Sequence, residues 1–131
     1  MIYKILNNNE IFAIILRKNY KSEGIEFFTP NNFSQQLGYM NRPKGHIVPP
    51  HFHNKVNRTV EYTNEVLFIK TGRVKVNFFD ENKIYFQSEL LEEGDFILLV
   101  KGGHGFEMIE SSEIIEIKQG PYAGDNDKTI F

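Results

Sequence analysis

The chain carries four histidines, and three of them are spaced as metal ligands could be: His51 and His53, separated by one residue, and His104 far downstream. On an extended strand, residues two apart point to the same face. His51-Phe52-His53 is therefore expected to present two imidazoles side by side. A divalent metal needs several neutral nitrogens, usually with a carboxylate, converging on one point. Glu65 and His104 can complete such a set if the strands that carry them fold back on one another. Cysteine is absent, so neither disulfides nor thiolate ligands contribute, and any metal rests on nitrogen and oxygen. His46 reads as a surface or hydrogen-bonded histidine.

The elements that must position these side chains read as one strand after another. Residues 2–6 and 11–16 are short apolar runs parted by the turn cluster Asn7-Asn8-Asn9. Residues 24–29 form another run, stopped by Pro30-Asn31-Asn32. Residues 33–37 are expected to make a brief helical turn capped by Asn32 or Ser34, and 37–42 to be extended. Pro43, Pro49 and Pro50 then confine the chain to edge or loop geometry, with a short strand expected around His51. Residues 65–70, Thr71-Gly72 and 73–79 read as a hairpin, whose second arm alternates Val74, Val76 and Phe78 with Arg73, Lys75 and Asn77. Residues 84–91, a turn at Glu92-Glu93-Gly94-Asp95, and the doubly buried run 96–100 follow. Residues 106–109 and 113–118 are expected to make a last pair. Strands this numerous at short intervals predict an all-β antiparallel barrel or sandwich.

The local grammar around the histidines resembles the cupin family. Gly45-His46-Ile47-Val48-Pro49-Pro50-His51-Phe52-His53 looks like the opening of the first cupin motif, and Glu65 to Gly72 like its closing half. Gly94-Asp95, an apolar run, and Gly102-Gly103-His104 look like the second. The resemblance implies a single antiparallel β-barrel, the jelly-roll-like double-stranded β-helix, with His51, His53, Glu65 and His104 on one metal. Two departures stand out. Eleven residues separate His53 from Glu65, where the common pattern has three or four, so 54–64 must loop out and return. In the second motif, Val100 stands at the usual proline position and His104 lies only two residues past Gly102. Glu61 is the competing carboxylate, but it lacks the six-residue run to a turn glycine.

Three imidazoles and a carboxylate leave about two positions open on an octahedral ion, as a catalytic metal requires. The ligand types suit iron, manganese, nickel, cobalt or zinc without selecting among them. The expected function is that of a metal-binding cupin acting on a small molecule, as an isomerase or epimerase of an activated or anionic sugar. A metal-dependent dioxygenase and a non-catalytic sensor or binding module are the alternatives. Fold alone does not choose among them. Arg42, Lys44, Lys55 and Arg58 flank the histidine pair. Arg58, with Arg42, is expected to anchor an anionic group of the ligand, since arginine grips phosphate or carboxylate with paired hydrogen bonds. The competing view is a loop kept soluble by ordinary surface charge.

Length and composition agree with one domain over residues 1–131: N-terminal strands (1–44), a core with both motifs (45–119) and a tail (120–131) that docks or is partly ordered. Twelve Phe and six Tyr suit a barrel filled by bulky side chains. A net charge of −2 with no basic stripe argues against nucleic acid as partner. No membrane-spanning or signal segment is visible, so a soluble, cytoplasmic protein is expected. The runs 2–6 and 11–16 carry more apolar surface than one small barrel covers, which predicts a homodimer. Gly102, Gly103 and Gly105 do not form a phosphate loop, because a strand-like run follows rather than a helix. No serine lies in a nucleophile turn.

Overall fold

A computed structural model describes residues 1–131. The chain is all-β, with ten strands and a single 3-10 turn. The strands are β1 (Ile2–Asn7), β2 (Glu10–Leu16), β3 (Gly24–Phe27), β4 (Gly38–Asn41), β5 (Glu65–Thr71), β6 (Arg73–Phe79), β7 (Tyr85–Glu92), β8 (Phe96–Leu99), β9 (Gly103–Met108) and β10 (Glu113–Lys118). No helix is long and apolar enough to cross a membrane. The chain forms two compact units, Met1–Tyr20 with Thr63–Phe131, and Lys21–Tyr62.

The first unit is built from period-two alternation. In β6 every second residue (Val74, Val76, Phe78) is buried, and β5 turns Leu67 and Ile69 inward. A five-stranded antiparallel sheet in the order β1-β2-β8-β5-β10 packs against a three-stranded sheet in the order β7-β6-β9. Between them Ile5, Phe12, Ile15, Leu67, Ile69 and Ile97 from the larger sheet meet Val74, Val76, Phe78 and Leu91 from the smaller. Full burial of each such side chain contributes about 1.5–3 kcal/mol. No pairing closes these sheets into a barrel.

Two expected hairpins are crossings instead. β5 pairs with β8 and β10, and β6 pairs with β7 and β9, so β5 and β6 lie in different sheets. The connecting residue, Gly72, has φ of 92°, a left-handed conformation that glycine adopts without a Cβ clash. A Cβ there would also lie 2.4 Å from the Ser111 carbonyl oxygen. This one-residue corner lets both strands keep their apolar faces on the same interior, which a flat hairpin would not. β9 and β10 are separated in the same way, β9 on β6 and β10 on β5. The turn at Asn8 and Asn9 is as expected, with both residues at positive φ.

In the second unit β3 and β4 form an antiparallel pair, Gly24 opposite Asn41 and Phe27 opposite Gly38. Their connection holds no helical turn. Gln36 organises it instead: its amide donates to the carbonyls of Pro30 (3.0 Å) and Phe33 (2.9 Å), and its Oε1 accepts from Thr29 Oγ1 at 2.6 Å. These side-chain bonds satisfy backbone acceptors that a helix would otherwise use. Residues 42–62 have no regular structure, and the strand expected around His51 is absent. Prolines 43, 49 and 50 supply no ladder donors.

One buried charge organises the entrance to β8. The Asp95 side chain is only 6% exposed. Its Oδ2 accepts from Arg17 Nη1 (3.0 Å) and the Glu92 amide (2.8 Å), and its Oδ1 from the Lys18 amide (2.9 Å). Arg17 also reaches the Leu90 carbonyl at 2.6 Å. The carboxylate thus ties the end of β2 to the β7–β8 turn. Removing one partner of a buried charged pair costs about 3–5 kcal/mol. Since Arg17 keeps partial solvent contact, Asp95→Ala is expected to lose about 3 kcal/mol in urea unfolding; a loss below about 1 kcal/mol would contradict this role.

Candidate functional site

The sandwich is open along one side, and the cross-strand register shows what lines it. On β9, His104, Phe106 and Met108 stand opposite Phe78, Val76 and Val74, whose side chains enter the core. Directly opposed residues share a face, so these three also point inward. β9 is nevertheless the edge of its sheet, and Phe106 and Met108 are 38% and 50% exposed. On β10, the edge of the other sheet, Ile114, Glu116 and Lys118 stand opposite Ile69, Leu67 and Glu65. The inward faces of two edge strands therefore reach solvent at the opening between the sheets. One side carries Phe106 and Met108, and the other carries Glu116 and Lys118.

His104 and Glu65 meet across this opening. His104 Nε2 lies 2.8 Å from Glu65 Oε1, joining the two sheets through side chains of 28% and 14% exposure. Asn64, buried beside Glu65, fixes the start of β5: its Nδ2 donates to the Val100 carbonyl (3.0 Å) and its amide N–H to Gln119 Oε1 (2.9 Å). The hydrogen bond from His104 holds the Glu65 carboxyl down to about 2 from its ordinary 4.5, against burial, which raises it; Glu116 and Lys118 lower it further. Glu65 is therefore an anion near neutral pH, and Nε2 of His104 carries the proton between them. Glu116 moves the other way. Its hydrogen bond to the Glu65 carboxylate, burial and the adjacent negative charge all raise its pKa, while Lys118 and Lys128 oppose the rise. The two carboxyls differ in role: one is a fixed anion, the other holds its proton more readily.

The remaining expected residues lie on the second unit. The His51 and His53 rings are neighbours, with centroids 5.5 Å apart and planes at 73°, although no strand imposes that arrangement. His51 Nδ1 is 2.7 Å from the Pro49 carbonyl oxygen. A carbonyl only accepts, so Nδ1 carries a proton toward it, which in the neutral ring leaves the lone pair on Nε2. A backbone carbonyl holding one ring nitrogen is how metal-binding histidines are oriented. Arg42, Arg58 and Glu61 are exposed. It is Glu65, not Glu61, that His104 contacts.

Two donor atoms at neighbouring octahedral positions, each about 2.0–2.2 Å from a metal, are themselves about 3 Å apart. The 2.8 Å between His104 Nε2 and Glu65 Oε1 fits that spacing. No group of three or more His, Asp or Glu side chains converges as it stands. The fit is therefore to the spacing of the His104–Glu65 pair; His51 and His53 belong to the other compact unit. No protein-family model, curated protein or solved structure matches the chain.

Glu116 was not among the expected site residues. The alternation Ile114, Glu116, Lys118 was visible in the sequence, but with β10 assigned to β9 nothing placed it beside Glu65. The pH dependence follows from the two shifts. Glu65, depressed below 4.5, contributes stability that is fully present above that value and lost as pH falls toward about 2. Glu116, raised, contributes in the opposite sense, with stability present at low pH and lost as pH rises through its folded value. Glu65 is the more buried and should dominate. Glu65→Gln is expected to flatten the acid limb of the stability profile by on the order of 1–2 kcal/mol. Unchanged acid unfolding in this variant would show that the carboxylate is not held as described.

Proposed function

We propose that the chain is a metal-binding, cupin-like domain that acts on a small molecule. The observation that carries this reading is the approach of His104 and Glu65 from two different sheets onto one point at the open side of a packed core. Such a place, with apolar lining and a few convergent polar groups, is where small ligands bind. His51 and His53 are the further ligands that the motif resemblance supplies, and the tautomer of His51 supports that role. The bound ion would act as a Lewis acid toward a carbonyl or hydroxyl of the ligand. The protein's own part is to hold that ligand at the opening between Phe106 and Met108 on one side and Glu116 on the other. Glu116, its pKa raised beside an anionic Glu65, is the carboxyl proposed to exchange a proton with the ligand. This division of two carboxyls favours a proton-moving isomerase or epimerase over the dioxygenase and sensor readings. Arg58 and Arg42 remain the proposed anchors for an anionic ligand group.

Elemental analysis of untagged protein is expected to find one transition-metal ion per chain. His104→Ala, Glu65→Gln and His51→Ala should each remain folded and bind that ion at least 10-fold more weakly. Full occupancy in His104→Ala would remove that histidine from the proposed set.

A homodimer is proposed through the β1 edge. β2 is an interior strand buried from Phe12 to Leu16, whereas β1 lies at the sheet edge with Tyr3 and Leu6 exposed. An unpaired strand edge of this kind accepts another strand. Light scattering should give twice the chain mass at micromolar concentration; a monomer mass would overturn the dimer.

A further inference from the structure

Beyond β10 the chain does not leave the first unit. Gln119 is bonded to Asn64 through its amide N–H, which donates to the Asn64 carbonyl at 3.3 Å, and through its side chain. Asp127 accepts a 2.8 Å hydrogen bond from Thr63 Oγ1. Phe131 stacks edge-on against Phe79 with centroids 5.3 Å apart, under the Lys83 ammonium. It also covers Gly103, where a Cβ would stand 2.6 Å from the Phe131 ring. The segment therefore starts beside Glu65 and ends beside His104, pinned at three places.

This strap borders an open cavity of about 390 Å³ against the end of β10, lined by Lys118, Tyr122, Asp125, Asp127, Lys128 and Ile130. That volume lies within the range of small-molecule sites. Neither Lys118 nor Lys128 lies within ion-pair distance of a carboxylate, although seven carboxylates elsewhere in the chain are matched to lysine or arginine; at longer range both lysines act on Glu116, and Lys118 also on Glu65. One oxygen of Asp127 is committed to Thr63, while Asp125 is exposed. The cavity thus offers two ammonium groups for one anionic group, carboxylate and phenol acceptors for hydroxyls, and the exposed apolar side chain of Ile130.

We propose that this strap cavity binds a small polyhydroxylated anion, of the sugar-acid or sugar-phosphate type, with Lys118 and Lys128 holding its charged group. Lysine suits this as a mobile point charge with three donors. The site lies wholly within the first unit and requires no metal; because Lys118 also acts on Glu65 and Glu116, binding measured with chelator present separates it from the metal reading. It is also distinct from the arginines at 42 and 58.

The test is titration of ¹⁵N-labelled chain, with chelator present and ionic strength fixed, using gluconate, inorganic phosphate and neutral sorbitol as probes. Saturable shifts with gluconate, confined to residues 63–64 and 117–131, are expected, with sorbitol inert. Phosphate shifting the same resonances more strongly than gluconate would assign the charged group as a phosphate; the reverse would assign a carboxylate. Lys118→Gln with Lys128→Gln, checked for an unchanged melting temperature, should weaken gluconate binding at least 10-fold, and Arg42→Ala with Arg58→Ala should leave it unaltered. Absence of saturable shifts with both anions, equal binding of sorbitol, unchanged affinity in the lysine variant, or shifts centred on 42–58 would each overturn the proposal.

Discussion

The first unit depends on a single constraint: β5 and β6, adjacent in sequence, must turn their apolar sides to one interior from two different sheets. Leu67 and Ile69 face Val74, Val76 and Phe78 across the core, and the chain has one residue in which to pass between them. Gly72 at φ 92° makes that passage. A two-residue hairpin would have kept both strands in one sheet and left one apolar row without cover. The same logic repeats at the β7–β8 turn, where the Asp95 carboxylate gathers Arg17 and two backbone amides so that Phe96 can start a strand in the opposite sheet.

Changing sheets at each corner has a consequence at the edges. β9 and β10 end as edge strands of opposite sheets, each with an inward face and no neighbour to cover it. The alternation that fills the core elsewhere brings His104, Phe106 and Met108 on one side, and Glu116 and Lys118 on the other, to the opening between the sheets. The polar residues fall there because water still reaches them. Deeper in, the same positions are Val, Ile and Leu. The His104–Glu65 hydrogen bond is consequently both a link between sheets and the most strongly polarised contact of the opening. Its effect on Glu65 passes on to Glu116, because a carboxyl next to a fixed carboxylate keeps its proton longer.

Strand identity was legible from sequence because period-two alternation is local. The runs in β1, β2, β6, β7 and β8 announce themselves, as do the asparagine turn and the turn before Asp95. The irregular course around His51 was half legible. Three prolines forbade a regular ladder, yet the pair of rings was read through strand geometry that the prolines themselves prevent. Their proximity arises instead from the loop, with the Pro49 carbonyl orienting His51. The helical turn expected near Ser34 failed because Gln36, one long side chain, satisfies the carbonyls that would have begun it.

By itself, then, the sequence determined that this is an all-β chain and which residues alternate inward; it also offered His51, His53, Glu65 and His104 as one set, of which the structure joins His104 and Glu65. These follow from side-chain type and short-range spacing. Tertiary structure alone decided which strands are partners. Pairing of β5 with β10 and of β6 with β9 joins residues 24 to 53 positions apart, and no local pattern encodes a choice among strands of similar alternation. That choice set Glu116 beside Glu65, separated two apparent hairpins into opposite sheets, and laid the segment after β10 against Gly103. The energy selecting it is the burial of a shared core, a property of the whole set of strands rather than of any one of them.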